Sequence, residues 1–438
     1  MSTMPFNQSR SPARIAAGTV RRRFLTCLGL LCVTDCLERS RLRLEAAEER
    51  STTPDLPAAK AARTRLAEAL HREDLQAIQE AEAAFRRALG SGCGTPESIE
   101  TSWPVGSPAP RPVPADFQKL SRAMGSLASG SKRARECQME LRNAGYLASG
   151  LLALAETGVA DAPACRHQAA MELDYLLEKQ CPEGFFPYPV NPAAPDHLKA
   201  LAAKAARQHP EKVVGGFLHL DADGTQFDTA CCGVAMVDGF RCLKDQRYLA
   251  AARKTADWAL TKPLSANWNY NAFLAWLLVR VHEAAPDSRY LNRALHITRL
   301  GVLPGQLETG QWSDPHNAKR VYHWILVRGL LAVLRVIPPA HPEKQEIEKR
   351  TRLAIQVRVD ETLREGGARE ALAAVALAEA VDQLGPNRRW ELALEQTGSV
   401  NPYSAGILAA RVTRRHPTAR PRPATSENAP NHDWPAAK

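Results

Sequence analysis

Apolar residues recur at helical spacing along most of the chain, and two kinds of helical segment alternate. Segments such as 246–261 and 287–300 carry arginine and lysine on one side and an apolar stripe on the other. Segments such as 271–281 and 321–337 are apolar nearly all round, which is typical of a helix buried in protein. We therefore predict an all-α fold in which an outer ring of amphipathic helices surrounds an inner ring of buried ones.

The helices that this periodicity predicts cover most of the chain after residue 130. Their ranges are 132–156, 162–180, 195–208, 227–243, 246–261, 270–284, 287–300, 317–337, 342–357, 366–383, 387–396 and 403–413. A further amphipathic helix is predicted over 56–89. Strand signals are few, and only Val213 to Leu220 has the pattern of a short strand.

A short phrase, Gln-x-x-x-Gly-x-aromatic, occurs twice, from Gln180 to Phe186 and from Gln306 to Trp312. Each copy ends a predicted outer helix and leads into a predicted inner helix. Such recurrence indicates stacked helical hairpins, in which each hairpin buries its apolar face against its neighbours.

Composition divides the chain into four parts. Residues 1–36 form a candidate export signal, and residues 37–115 contain the first amphipathic helix and a proline-rich linker. Residues 116–413 carry the alternating helices. Residues 414–438 are rich in Pro, Arg, Asn and Ala, which predicts a disordered tail.

The candidate signal consists of arginines followed by an apolar run that is too short to span a bilayer. From Arg21 to Leu25 it resembles a twin-arginine signal, whose pattern is two arginines, any residue, then Phe-Leu. It departs from that pattern at Thr26, where a lysine is common, and no Ala-x-Ala cleavage site follows. The resemblance implies export to the periplasm or the cell exterior. The alternative is an ordinary N-terminal helix in a cytoplasmic protein.

The net charge of +10 does not indicate a nucleic-acid partner, because most of it lies at the two ends of the chain. The first fifty residues carry +4 and residues 411–438 another +4, which leaves +2 for the residues between them. A folded part so close to neutrality lacks the broad basic surface that phosphates require. No segment outside the candidate signal has an unbroken apolar run long enough for a membrane span.

The cysteines do not indicate a framework of disulfide bonds. Three of the ten lie in the candidate signal, the other seven are irregularly spaced, and no Cys-x-x-Cys pair suggests zinc. Asp221, Asp223 and Gly224 could begin a calcium loop, but the twelve-residue loop with its terminal glutamate is missing. The sequence therefore predicts no metal and no cofactor.

The repeated phrase and the helix alternation from Gly216 to Pro338 resemble the (α/α) toroids of polysaccharide lyases and helical-barrel glycoside hydrolases. The run from Gly215 through Phe227 and Asp228 is similar to pectate lyases of the toroid type. The phrase is also similar to the repeats of squalene cyclases and prenyltransferases. The resemblance implies a toroid of helical hairpins over residues 116–413. Such a fold does not by itself define the reaction that a protein catalyses.

In such a ring, the connections that lead into the inner helices gather at one mouth, where helix N-termini present unpaired N–H groups. The segments brought together are 184–190, 216–228, 263–271, 310–323 and 399–403.

The densest polar cluster lies between Trp312 and His323. A lyase that acts on a uronic acid polymer must neutralise a carboxylate, remove the adjacent proton and protonate the leaving oxygen. The candidates for these three tasks are, in order, Arg320 or Asn317, His316 or His323, and Tyr322. The alternative is that His323 packs inside the ring while Asp314 and Asn317 cap the next helix.

A second cluster runs from His219 to Asp228 and includes Asp221. Two separated carboxylates facing a groove could be the acid and base of a glycoside hydrolase, with Asp228 as the catalytic candidate. In the alternative interpretation, Asp228 is an N-cap and Asp223 forms a turn with the glycine that follows it.

Aromatic residues are scarce but concentrate in the same connections, where flat rings could stack on sugars. For Phe186 and Trp312, the position after the repeat glycine favours a packing role. The full set of candidates for substrate contact is Tyr188, His219, Asp221, Trp268, Asn269, Tyr270, Trp312, Asp314 and Asn317.

These features predict an exported carbohydrate-active protein, with β-elimination of an acidic polysaccharide as the leading hypothesis. The alternatives are a glycoside hydrolase that uses an Asp pair and a non-catalytic toroid that binds sugar or protein at the same mouth. The predicted partner is a polysaccharide or oligosaccharide.

Overall fold

The computed structural model describes residues 55–95, 140–157, 162–190, 204–221, 224–364, 371–395 and 402–415, and these are predominantly helical. The helices are α1 (Leu56–Arg72), α2 (Leu75–Leu89), α3 (Glu140–Ala155), α4 (Ala162–Lys179), α5 (Thr225–Leu243), α6 (Gln246–Thr261), α7 (Trp268–Ala284), α8 (Ser288–Gly301), α9 (Arg320–Val336), α10 (Lys344–Arg364), α11 (Ala371–Leu384), α12 (Arg388–Glu395) and α13 (Pro402–Arg415). The predicted all-α class is confirmed. The predicted export signal, the proline-rich linker and the tail after residue 415 lie outside the described residues.

The predicted strand between Val213 and Leu220 is a two-stranded hairpin. Strands β2 (Val213–Val214) and β3 (Phe217–Leu218) pair antiparallel, with Gly215 and Gly216 at positive φ in the turn. Strand β1 (Tyr188–Pro189) pairs antiparallel with the other side of β3. This small sheet lies in the connection between α4 and α5.

Alternate helices pack in a cyclic order. Helices α3, α5, α7, α9, α11 and α13 each pack against the next, and α13 packs back against α3. The intervening helices α4, α6, α8, α10 and α12 each pack on the alternate helix before them. Contact between α13 and α3 is close, because a Cβ at Gly406 would lie 2.0 Å from the carbonyl oxygen of Gly150. The segments predicted to be buried, in α5, α7 and α9, are members of the cyclic set.

The cyclic set has its N-terminal ends together. Asn269, at the start of α7, donates to Asn317, which lies shortly before α9. At the opposite end, Arg335 of α9 donates from Nε to Oε1 of Glu283 on α7 at 2.5 Å. The connections that lead into the N-terminal ends are long, as in 302–319, whereas the turns at the other end are short, as in 285–287.

Both copies of the repeated phrase attach to the following outer helix in the same way. Nε2 of Gln180 donates to the carbonyl oxygens of Gly184 at 3.2 Å and Ala251 at 3.0 Å. Nε2 of Gln306 donates to those of Gly310 at 3.2 Å and Arg350 at 3.0 Å. The phrase therefore closes a turn and fastens it to α6 or α10, which is a packing role.

The helix predicted over 56–89 is interrupted, which corrects the sequence interpretation. Glu73 adopts the left-handed conformation with φ 54°, and Asp74 caps α2 by accepting a hydrogen bond from the backbone N–H of Ala77 at 3.1 Å. The result is a hairpin of α1 and α2. Its apolar residues Leu66, Leu70 and Ile78 belong to the main hydrophobic core.

Candidate functional site

An ion pair joins the first turns of α3 and α5. Arg142 Nε lies 2.9 Å from Asp228 Oδ1, and both side chains are buried. The guanidinium group of Arg142 also lies 3.6 Å from the centroid of the Phe227 ring. Burial raises the pKa of Asp228, and the nearby charge of Arg142 offsets this only in part. Asp228 therefore holds a proton more tightly than an ordinary aspartate does.

A second set of side chains occupies the middle of the cyclic arrangement. Arg328 donates to both carboxylate oxygens of Glu379 at 3.1 Å and to Tyr403 Oη at 2.6 Å. The ring of Tyr403 lies 4.8 Å from that of Tyr146, whose Oη accepts a hydrogen bond from Cys231 at 3.2 Å. Burial raises the pKa of Tyr403 to about 12, so its hydroxyl is protonated at neutral pH.

Aromatic rings connect the two sets. Phe227 stacks on Phe273 with centroids 4.1 Å apart, and Phe273 lies 6.2 Å from Trp276. The ring centroid of Trp276 is 4.6 Å from the guanidinium of Arg328. All six helices of the cyclic set thus contribute to one cluster, which we call the ring network. Its members are Arg142, Tyr146, Phe227, Asp228, Cys231, Phe273, Trp276, Arg328, Glu379 and Tyr403.

Further ion pairs lie towards the C-terminal ends of these helices. Arg280 donates to Asp238 and lies 3.8 Å from Glu283, which also pairs with Arg335. Like Arg142 and Arg328, these guanidinium groups each face a carboxylate. The described interior is therefore close to neutral, and an incoming anion would have to compete with a carboxylate already in place.

Of the predicted catalytic residues, His316 and Tyr322 lie together. Their rings stack with centroids 4.1 Å apart and both side chains are half-buried, with His316 in the connection that leads into α9 and Tyr322 in the first turn of α9. Arg320 is half-buried, and its Nε lies 3.7 Å from Glu361 of α10. Asp228 belongs to the ring network.

His323 does not line an opening, and its predicted catalytic role is not supported. Its side chain is fully buried, Nε2 donates to the carbonyl oxygen of Ala354 on α10 at 2.8 Å, and its ring meets Trp312 edge-on at 5.0 Å. Burial holds the pKa of His323 well below its ordinary value of 6.5, and the charge of Arg358 lowers it further. The packing alternative describes this residue.

His219 and Asp221 point away from the ring network. His219 Nδ1 lies 3.3 Å from the sulfur of Cys181, at the end of α4. Asp221 accepts hydrogen bonds from Lys262 at 2.8 Å and from the indole of Trp258 on α6 at 3.0 Å. Asp221 therefore ties the connection to an outer helix and does not form an acid pair with Asp228.

Several predicted substrate-binding residues are buried. Trp268 is fully buried, and a Cβ at Gly305 would lie 2.4 Å from its indole. Trp312 is also fully buried, and its indole donates to the carbonyl oxygen of Val302 at 3.2 Å. Both indoles fill the space between helices and are not available to stack on a sugar.

The polar residues of this group hold two connections together. Asp314, Asn317 and Asn269 are buried and bonded to one another, with the N–H of Asn269 donating to Asn317 at 3.1 Å. Tyr270 is half-buried, and a Cβ at Gly224 would lie 3.5 Å from its hydroxyl. The first turn of α7 therefore touches both the 216–228 and the 310–323 connections, which lie at the same end.

Tyr188 is half-buried in β1, where it pairs with Leu218 of β3 in the small sheet.

The sequence interpretation missed most of the ring network. A signal was available for Arg328, an arginine in the middle of the apolar run 321–337, and for Arg280, which lies near the end of the apolar run of α7. A charge inside an otherwise apolar helix is costly unless it is paired, so it marks an interior polar site. Glu379 carries the same signal, because it is the one charged residue in the apolar run 371–381, whereas Tyr146 carries none.

No family model matches the chain, and no curated protein is significantly similar to it in sequence. Among solved structures, the chain is similar to the endoglucanase CelQ from Clostridium thermocellum complexed with cellotriose, at 14% identity and a TM-score of 0.30. The match covers 67% of this chain and 64% of that one. A likeness this distant does not bear on activity.

Within the described ranges, no helix combines the length and the apolar character needed to cross a bilayer. The same ranges contain no group of three or more His, Cys, Asp or Glu residues arranged to hold a metal ion.

The neutral, buried state of His323 has a measurable consequence for stability. Below pH 6.5 the unfolded chain binds a proton at this histidine, whereas the folded protein does not. We therefore expect the unfolding free energy to fall by about 1.4 kcal/mol per pH unit on this account as the pH drops below that value. Denaturant titrations of wild type and His323→Gln between pH 8 and pH 5 should differ by this slope, since glutamine keeps a donor for Ala354. Parallel curves for the two proteins would contradict this assignment.

Proposed function

We propose that the chain is a carbohydrate-active enzyme of the (α/α) toroid type that hydrolyses a glycosidic bond within its ring of helices. The observation that carries this proposal is the ring network, in which all six alternate helices place acidic, basic and aromatic side chains in one cluster of buried and half-buried groups. Aromatic faces bind the apolar faces of sugar rings, and the polar groups suit hydroxyl recognition.

Two carboxyl groups supply the chemistry. Asp228 is the general acid, because its raised pKa favours the protonated form that must be delivered to the leaving oxygen. Glu379 is the second carboxylate, and its two hydrogen bonds from Arg328 suit an ionised group acting as base or nucleophile. Asp228 lies on α5 and Glu379 on α11, which stand opposite each other in the cyclic order. A sugar between them would present its bond to both groups, as glycoside hydrolysis requires.

The balance of charge favours an uncharged saccharide. Arg328, at the centre of the ring network, is paired with the carboxylate of Glu379. A uronate carboxylate bound at Arg328 would have to displace Glu379 and leave a buried charge without its partner, which is unfavourable.

The proposal is tested by incubating the purified protein with neutral and acidic polysaccharides and following new reducing ends. We expect reducing ends without ultraviolet absorbance of an unsaturated product. Asp228→Asn should lower that rate by about 10²–10⁴-fold through loss of the proton donor. The matched control is Asp174→Asn, an exposed residue of α4, which should leave the rate unchanged. No release of reducing ends from any polymer by a folded protein would refute hydrolysis.

A second candidate is β-elimination of an acidic polysaccharide. It is favoured by the hydrogen bond from Arg328 to Tyr403, since the charge of Arg328 partly offsets the rise that burial causes in the pKa of Tyr403 and would stabilise its phenolate once the proton is lost, and by the half-buried His316 and Tyr322. Its signature is an unsaturated product from acidic polymers only, with loss of that product in Tyr403→Phe. A toroid that only binds sugar would show saccharide affinity without either product.

We also propose that the protein is exported through its N-terminal segment, because Arg21 to Leu25 fits the twin-arginine pattern. Residues 1–36 fused to a folded reporter should direct it out of the cytoplasm of a host with that export pathway. Replacing Arg21, Arg22 and Arg23 by lysine should retain the charge but stop export. Equal export by the all-lysine fusion would argue against a twin-arginine signal.

A further inference from the structure

The hairpin of α1 and α2 contacts the connection that leads into α9. Glu82 of α2 is 2% exposed, and its Oε1 accepts a hydrogen bond from the hydroxyl of Ser313. The same oxygen is 3.1 Å from Nε of Arg86, which also donates to the carbonyl oxygen of Pro304 at 2.6 Å. Beyond α2, the N–H of Gly94 donates to the carbonyl oxygen of Ser313 at 2.8 Å. Hydrogen bonds from both side chains and backbone of this part of the chain therefore hold the connection in place.

From Ser313, hydrogen bonds continue to the mouth of the cyclic arrangement. Asp314 accepts from the N–H of His316 at 2.8 Å and from the side chain of Asn317. Asn317 in turn accepts from the N–H of Asn269 at 3.1 Å, in the first turn of α7. The connection is therefore held on one side by the hairpin and on the other by α7.

The stacked rings of His316 and Tyr322 stand at the end of this chain of bonds. The backbone N–H of His316 is fixed by Asp314, and the ring of Tyr322 lies 4.1 Å from that of His316. A shift of residues 313–317 would change the position of the His316 ring relative to that of Tyr322.

We infer that Glu82 is a positioning residue: it holds the 313–319 segment so that His316 and Tyr322 lie at the mouth of the ring. A carboxyl group this deeply buried is costly, and an apolar side chain would pack the same space without that cost. One of its oxygens, Oε2, is buried without a hydrogen-bond partner, so the carboxyl group is not fully satisfied in this position. Its other oxygen, Oε1, accepts the hydrogen bond from Ser313.

The test measures hydrogen exchange of backbone amides in the full chain for wild type, Glu82→Ala, Glu82→Gln and the control Glu80→Ala. Glu80 lies on the same helix, is exposed and bonds only to its neighbour Gln76 at 2.9 Å among the bonds described for it. We expect Glu82→Ala to speed exchange at 313–319 by about tenfold or more, while α3 and α4 keep their protection. Glu82→Gln retains an acceptor for Ser313 and should restore the wild-type rates, and Glu80→Ala should match wild type.

Unchanged exchange at 313–319 in Glu82→Ala would overturn the inference. So would a uniform loss of protection across the helices, because that is the effect of a merely structural residue. A second experiment, which rests on the proposed function, measures the kinetics of saccharide hydrolysis. Glu82→Ala should raise KM for a hydrolysed saccharide by about tenfold with a smaller change in kcat. Because the exchange arm needs no substrate, it decides the role of Glu82 even if hydrolysis is not observed.

Discussion

Replacing Gly310 by alanine is expected to lower the unfolding free energy by about 2–5 kcal/mol, which combines left-handed strain with overpacking. Gly310 has φ +92°, and a Cβ there would lie 2.4 Å from the carbonyl oxygen of Leu353 on α10. The backbone of α10 cannot move aside without disturbing the bond that Gln306 makes to Arg350. The substitution therefore strains the turn and separates it from the outer helix.

Gly385 provides a matched control, because it has the same φ of +92° but no atom of the described residues lies within 4 Å of where its Cβ would stand. Gly385→Ala should cost only the backbone strain, about 1–2 kcal/mol. Gly184→Ala should behave like Gly310→Ala, since its Cβ would lie 2.3 Å from the carbonyl oxygen of Lys254. Denaturant titration of the three variants measures the differences. If Gly310→Ala and Gly385→Ala lost the same stability, close approach to α10 would not be the function of the repeated glycine.

The repeated phrase shows what could be predicted from the sequence. A glutamine and a glycine at fixed spacing make the same local bonds wherever the chain forms the same turn, so their recurrence predicted the hairpins. The periodicity of α5, α7 and α9 predicted their burial for the same local reason. Both features depend on residues near one another in the chain.

The ring network was largely missed because its contacts join distant parts of the chain. Arg328, Glu379 and Tyr403 lie on three different helices, and no spacing in the sequence relates them. Local composition instead predicted the functional site in the dense polar cluster at 312–323. Much of that cluster proved to bond internally, as with Asp314 and Asn317. Composition thus located the right end of the fold but not the side chains that face its interior.

The break in the first helix was missed for a different reason. Glu73 is a good helix former and the apolar stripe continues on both sides of it, although Asp74 is of a residue type favoured at helix N-caps. Tertiary contacts explain the break, because Glu73 accepts from Arg293 at 2.6 Å and lies 2.6 Å from His296 on α8. These contacts with a distant helix and the N-cap formed by Asp74 both stabilise the break.

The interaction of Arg328 with Glu379 and Tyr403 leads to the second large prediction. Glu379→Ala removes the carboxylate from a guanidinium group whose side chain is only 7% exposed. Breaking one partner of such a pair is expected to cost about 3 kcal/mol, because the charge left behind is desolvated. Unfolding titrations at neutral pH would show this loss, and the exposed pair of Arg388 with Glu395 is the control, since Glu395→Ala should change stability by about 0–1 kcal/mol.

The triple variant Arg328→Met, Glu379→Leu, Tyr403→Phe separates stability from function. It removes every polar member of the contact together, so no buried charge or hydroxyl remains unpaired, and we expect stability to return to within about 1 kcal/mol of wild type. Under the proposed function, that stable protein should nevertheless release no reducing ends, because Glu379 is absent. A triple variant that remains active would exclude Glu379 as the base or nucleophile. A triple variant no more stable than Glu379→Ala would show instead that the three helices need these polar contacts in order to pack.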